Sequence, residues 1–187
     1  MKGHLTTPRL ILRPWRESDR IPFQAINADP RVMEFYPSTL TPQESDDLIA
    51  RIDQHFVQHG HGPYAAELPA TGAFIGYIGL YTPTFEAPFM PAVEIAWRLA
   101  FDHWGKGLAT EGARAVLDHA FETLGLPGVV SFTVPQNQRS RRVMEKLGMV
   151  HDPTDDFNHP RIQDGHPLRR HVLYRIQAPK LSQSNSD

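Results

Sequence analysis

The chain has 187 residues, of which 40% are hydrophobic, a formal net charge of −2 and no cysteine. That length suits one well-buried domain and is short for two. The near-neutral balance offers no basic field for nucleic acid, and the missing cysteines exclude disulfides, thiol nucleophiles and cysteine-held metals.

Leu10 to Trp15 reads as a first strand that Pro14 confines to an edge or an end. Glu17 to Asn27 is a short helix with Ile21, Phe23 and Ile26 as its apolar positions. Thr41-Pro42-Gln43-Glu44 has capping-box spacing with proline at the first helical position, and Leu48, Ile49, Ile52 and Phe56 continue it as an apolar stripe to Gly60. Tyr64–Leu68 and Phe74–Tyr81 flank a glycine-bearing turn and predict an antiparallel pair. After a proline-rich connection, Val93 to Leu99 alternates as a strand should.

The most informative segment follows, His103-Trp104-Gly105-Lys106-Gly107-Leu108-Ala109-Thr110-Glu111. It leads from that strand into a helix whose apolar face is Ala109, Ala113, Val116, Leu117, Ala120, Phe121 and Leu124. Glycines let main chain approach a ligand, and a helix start carries unpaired N–H donors and partial positive charge, so a phosphate can settle there. Read alone, the segment also fits an ordinary tight strand–helix turn. Val129 to Val134 is the next strand, Asn137 caps a helix to Leu147, and Met149 to His151 begins a short strand. Asp152 to Pro167 reads as a long loop, His171 to Ile176 as a final strand, and residues 179–187 as a disordered tail. The expected fold class is α/β in the mixed α+β sense: one domain over residues 1–178 with six or seven strands and helices on both faces.

Five blocks in order resemble the GNAT superfamily of acyl-CoA-dependent N-acyltransferases, and most of all the branch typified by ribosomal-protein N-terminal acetyltransferases. They are Thr7 to Pro14, Phe74 to Leu80, Val93 to Trp97, Trp104 to Glu111, and the helix carrying Asn137-Gln138-Arg139-Ser140 and Glu145-Lys146-Leu147-Gly148. Trp104 departs from the glutamine or arginine usual at the start of the superfamily's loop. The connections Thr82–Pro91 and Asp152–Pro167 match nothing in the family pattern, and such segments build the acceptor pocket.

The resemblance implies a sheet with splayed central strands, acetyl-CoA as co-substrate and no metal. Its diphosphate would lie on the N–H groups around Trp104, Gly105, Lys106, Gly107, Leu108, Ala109 and Thr110. Its pantetheine arm would run beside Trp97 and Leu99, with Asn137 opposite. Glu94 is the candidate general base and Ser140 the candidate donor to the departing thiolate, and Ser140 is also a cofactor contact. Tyr77 and Tyr174 are weaker acid candidates. Trp15, Phe35 and Tyr36 are assigned to core packing before an acceptor pocket. His55 and His59 lack a third ligand and are declined as a metal site, and Arg139, Arg141 and Arg142 are read as a solvated helix face.

The expected function is acetyl transfer to a primary amine of a peptide or a small molecule, without nucleic-acid or membrane partners, by a cytoplasmic monomer or homodimer. Two alternatives stand beside it: a catalytically silent acyl-CoA-binding module on the same fold, and a dinucleotide-dependent enzyme using the glycine loop.

Overall fold

A computed structural model describes residues 3–179. The capping box forms as the sequence requires: Thr41 Oγ1 accepts from the Glu44 N–H at 3.2 Å, and Glu44 Oε2 accepts from the Thr41 N–H at 2.8 Å. Two donors that a helix start leaves unpaired are thereby satisfied. The helix that follows, α2 (Pro42–His59), packs against α1 (Arg20–Ala28). Ahead of α1 the backbone makes one 3₁₀ turn, Glu17–Asp19, so the helix expected from Glu17 starts three residues later.

Among the described residues nine strands form the sheet: β1 (Leu5–Thr6), β2 (Ile11–Arg13), β3 (Pro63–Leu68), β4 (Ala73–Tyr81), β5 (Glu94–Leu99), β6 (Gly128–Thr133), β7 (Val150–His151), β8 (Phe157–Asn158) and β9 (Arg170–Gln177). Their order is β1-β2-β3-β4-β5-β6-β9-β7, with β8 on β9. The expected six or seven strands undercount because β1 and β8 are two residues long, too short to show alternation. For the same reason the loop expected over Asp152–Pro167 hides a 3₁₀ turn and β8. The first predicted strand shrinks to three residues because Pro14 cannot donate to the ladder. Of the predicted tail, all but Pro179 lies outside the described residues.

Every pairing of these nine strands is antiparallel except β5 with β6, which share a single bridge, Glu94 with Val130. Beyond it the two strands part, and this splay creates the site.

The helices lie on both faces. Phe23 of α1 and Ile49 of α2 pack on Tyr77 with Ala96 alongside. On the other face lies α3 (Leu108–Asp118), which ends in a π turn, His119–Thr123. A Cβ at Gly112 of α3 would stand 2.4 Å from Ile78 Cδ1, which shows how closely this helix sits on β4. Near it runs α4 (Gln138–Lys146), whose Met144 is fully buried in the same core as Ile95 and Leu99. Within β5, Ile95, Trp97 and Leu99 therefore face α3, and Glu94, Ala96 and Arg98 face the α1–α2 side.

Candidate functional site

One cleft of about 650 Å³ passes through the splay. On the α3 face it is lined by Gly105, Gly107, Leu108, Ala109, Thr110, Asn137, Ser140, Arg142, Val143 and Lys146. On the opposite face its wall holds Phe35, Tyr36, Glu94, Arg98, His159, Arg161 and His171. Trp97, Leu99 and Trp104 join the two sides. Of the residues expected to touch cofactor, only Lys106 stands outside this wall, and of the candidates for chemistry Glu94 and Ser140 are in it while Tyr77 and Tyr174 are not.

The glycine loop leaves its main-chain donors open. Gly105 and Gly107 take φ values of 73° and 79°, which L side chains rarely adopt. The first main-chain bond of α3 runs from the Glu111 N–H to the Gly107 carbonyl at 3.0 Å. The N–H groups from Gly105 to Thr110 meet no acceptor among the described residues, and they converge at the positive end of α3. The loop is braced from behind. Glu111 accepts from Thr7 Oγ1 at 2.7 Å and from the Arg9 N–H and Nε at 2.9 and 2.7 Å, while Arg9 Nη1 donates to the Lys106 carbonyl at 2.9 Å. Lys106 thus contributes through its main chain at the back of the loop.

The inner edge of β5 is nearly spoken for. Carbonyls of one parity point toward β6, and three of them are taken: Val93 by the Val130 N–H at 2.9 Å, Ile95 by Ser131 Oγ at 2.9 Å, and Leu99 by Trp104 Nε1 at 2.8 Å. Trp97 has the same parity, and no bond to its carbonyl from the β6 side occurs among the described residues. This also explains the unusual Trp104. Its indole occupies the Leu99 carbonyl, so the residue props the strand end as well as beginning the loop.

Asn137 is mostly structural. Its Oδ1 accepts from the Ser140 N–H at 3.2 Å, capping α4, and its Nδ2 donates to Thr133 Oγ1 at 3.0 Å. Ser140 is half-buried, and its hydroxyl makes no hydrogen bond among the described residues. Glu94 is likewise half-buried with no ion pair among the described residues, and burial pushes its carboxyl up to about 8. It therefore holds its proton at neutral pH and releases it in mild alkali.

Several residues fall elsewhere than the sequence suggests. Phe35 and Tyr36 line the cleft instead of the core, whereas Trp15 packs on Phe23 and Phe74 as expected. Tyr77 and Tyr174 are buried away from the cleft, the latter between Arg141 Nε and Glu145 Oε1 at 3.2 Å each. The arginine cluster is not one solvated face. Arg139 and Arg142 line the cleft, and Arg139 also reaches Glu34 of the α1–α2 connection and lies 4.7 Å over the Trp104 ring. His55 spends both ring nitrogens at 2.8 Å, on the His61 carbonyl and on the Thr82 N–H.

Sequence reasoning missed Arg98, His159, Arg161 and His171. The two connections that matched nothing meet here: Arg161 Nη2 donates to Thr84 Oγ1 at 2.6 Å, and Phe85 and Phe89 pack on Phe132, Phe157 and His159. Phenylalanine and histidine amid proline in those segments are the signal for His159 and Arg161, whereas Arg98 and His171 sit within strands and carry no local mark.

This sheet, splayed at its parallel pair with an amide-lined helix start at one mouth, defines the class by its build. The description "Acetyltransferase (GNAT) domain" matches residues 9–150. An Aspergillus fumigatus protein named FsC-acetyl coenzyme A-N(2)-transacetylase is 30% identical over 199 aligned positions, covering 96% of this chain and 82% of its own. An acetyltransferase from Agrobacterium tumefaciens superposes with a TM-score of 0.76 at 31% identity over 95% of each chain. Mycobacterium smegmatis RimJ, solved with CoA-disulfide, gives 0.74 at 24% identity over 97% of this chain and 89% of that one, a likeness of fold alone. The chain belongs to the GNAT family and is an acetyl-CoA-dependent acetyltransferase.

Proposed function

We propose that this enzyme transfers the acetyl group of acetyl-CoA to a primary amine by direct attack. The observation that carries the reading is one cleft with unclaimed N–H groups at one end and a desolvated carboxyl, Glu94, at the other. The diphosphate lies against Gly105 to Thr110, with Arg142 and Lys146 of α4 adding positive charge nearby. The pantetheine arm pairs with the free main chain at Trp97, as an added strand would.

The amine arrives mostly protonated and must lose a proton before or as it attacks. Glu94 takes that proton, directly or through water. The nitrogen lone pair forms the C–N bond at the thioester carbonyl, a main-chain N–H of β5 steadies the oxyanion, and the C–S bond breaks. Ser140 donates a hydrogen bond to the departing thiolate. Much of the rate comes from holding amine and thioester together.

Two titrations test this. Acetyl-CoA binds the wild-type protein, and Gly107→Glu loses that binding because a side chain at a φ of 79°, with its Cβ directed at Arg9, distorts the loop that presents the N–H groups; unchanged affinity in the variant overturns the loop assignment. Thiol release on an amine panel then reads turnover. Binding without release on any amine means a silent acyl-CoA module, and binding of NAD in place of acetyl-CoA means a dinucleotide enzyme.

A further inference from the structure

Two arginines are buried among the described residues, and the fold treats them differently. Arg13 meets two carboxylates, Asp19 at 2.7 Å and Glu67 at 2.6 Å. Arg98 is 8% exposed and has no carboxylate partner among the described residues. Its Nη1 donates to Asn27 Oδ1 at 2.6 Å, and Asn27 Nδ2 donates to Ser45 Oγ at 2.7 Å, in a chain that is wholly buried. The guanidinium lies 4.3 Å over the Tyr36 ring, and its Nε has no hydrogen-bond partner among the described residues. Neutral groups position this cation without neutralising it. A guanidinium cannot shed its proton, and burying one without a counter-charge is unfavourable. Such an arrangement is completed when an anion arrives.

Arg98 is part of the cleft wall, on the same side of β5 as Glu94. Glu94 is the one acidic side chain among the described lining residues, which also include Arg98, Arg139, Arg142, Lys146 and Arg161. His159 and His171 stand on the same face. Burial, foremost, pushes His159 down to about 4 and lowers His171, so neither brings charge at neutral pH. A polyamine would set further cations beside Arg98 with nothing to meet them.

We propose that Arg98 receives a carboxylate of the acceptor, so that the substrate is an amine carrying its own acid group. This rests on the amine-transfer reading above. A guanidinium fork matches a carboxylate in two parallel bonds, which fixes orientation as well as adding affinity. Glu94 and Arg98 stand about 13 Å apart at their Cα atoms, from ~3.3 Å per strand residue. The amine-to-acid spacing of the best substrate measures the distance between the two side-chain ends.

The experiment compares matched pairs, α- and ω-amino acids of increasing chain length against their carboxamides. Thiol release from acetyl-CoA is the readout, at equal concentrations of free amine. The acid is expected to exceed its amide in kcat/KM by about tenfold or more, the scale of a charge-assisted bond, mainly through KM. Arg98→Gln brings the ratio close to one, and Arg98→Lys restores part of it. Wild-type protein that turns over amides and diamines as well as acids overturns this inference and leaves amine transfer standing. No turnover on any amine, with acetyl-CoA bound, overturns both. Because the wild-type panel decides, misfolding of a variant does not cloud the result.

Discussion

At the scale of single residues, the site combines groups the chain leaves unsatisfied. Glu94 is the clearest, a carboxyl that burial keeps protonated at neutral pH. The groups facing it are Tyr77 and Tyr81 of β4 and Arg98 on its own strand, and it forms an ion pair with none of them. Its basic form appears as pH rises, so kcat should climb through about pH 8. Glu94→Gln should lower kcat by roughly 100-fold and flatten that limb while acetyl-CoA affinity stays unchanged; parallel loss of both would make Glu94 structural.

The same shift acts on stability. Its folded-state pKa is raised, so ionising Glu94 disfavours the folded state, with no penalty below the usual carboxylate range and the full penalty above about 8. Thermal melts of Glu94→Gln should therefore match wild type near pH 4 and exceed it near pH 9. A gap that ignores pH would contradict the desolvated carboxyl.

Among elements, the glycine loop depends on a partner distant in sequence. Arg9 and Thr7 precede β2, yet they hold Glu111 in the first turn of α3. Arg9 is exposed, and such a pair contributes less than about 1 kcal/mol to stability. Arg9→Ala should leave the melting temperature nearly unchanged and weaken acetyl-CoA binding several-fold by loosening the loop. Calorimetry checks both, and a large drop in melting temperature with intact affinity would refute the assignment. Local signals found the elements themselves well. The Thr41 capping box and the alternation in β5 act within a few residues, so they are legible without the fold. What touches Glu111 or Arg98 is not legible, because Arg98 is 71 residues from its partner Asn27. Nor is the lining role of Phe35 and Tyr36 legible, because an aromatic's destination depends on which cavity its loop borders.

Across the whole molecule, the splay between β5 and β6 is held at one point past the shared bridge. There Ser131 Oγ donates to the buried Ile95 carbonyl at 2.9 Å. Ser131→Ala would leave that carbonyl without a donor, at a cost of about 1–3 kcal/mol. Denaturant unfolding should show the loss, and KM for acetyl-CoA should rise as the mouth loosens. Close approach on the other flank depends on Gly76, where a Cβ would stand 2.1 Å from the Arg98 carbonyl. No side chain can give way there, since the obstacle is main chain. Gly76→Ala should lose folded protein outright, as circular dichroism would report.

The sequence by itself determined most of the elements, the family resemblance, the glycine-bearing strand-to-helix turn and the strand face on which Glu94 stands. Each is written in short-range periodicity or in a contiguous motif. Only the tertiary structure decided that β5 keeps a single bridge to β6, that Trp104 closes the end of that strand, and that Arg98 lies buried without a counter-ion. Those outcomes follow from which backbone and side-chain partners remain once every other strand and helix has packed, and that balance belongs to the folded chain as a whole.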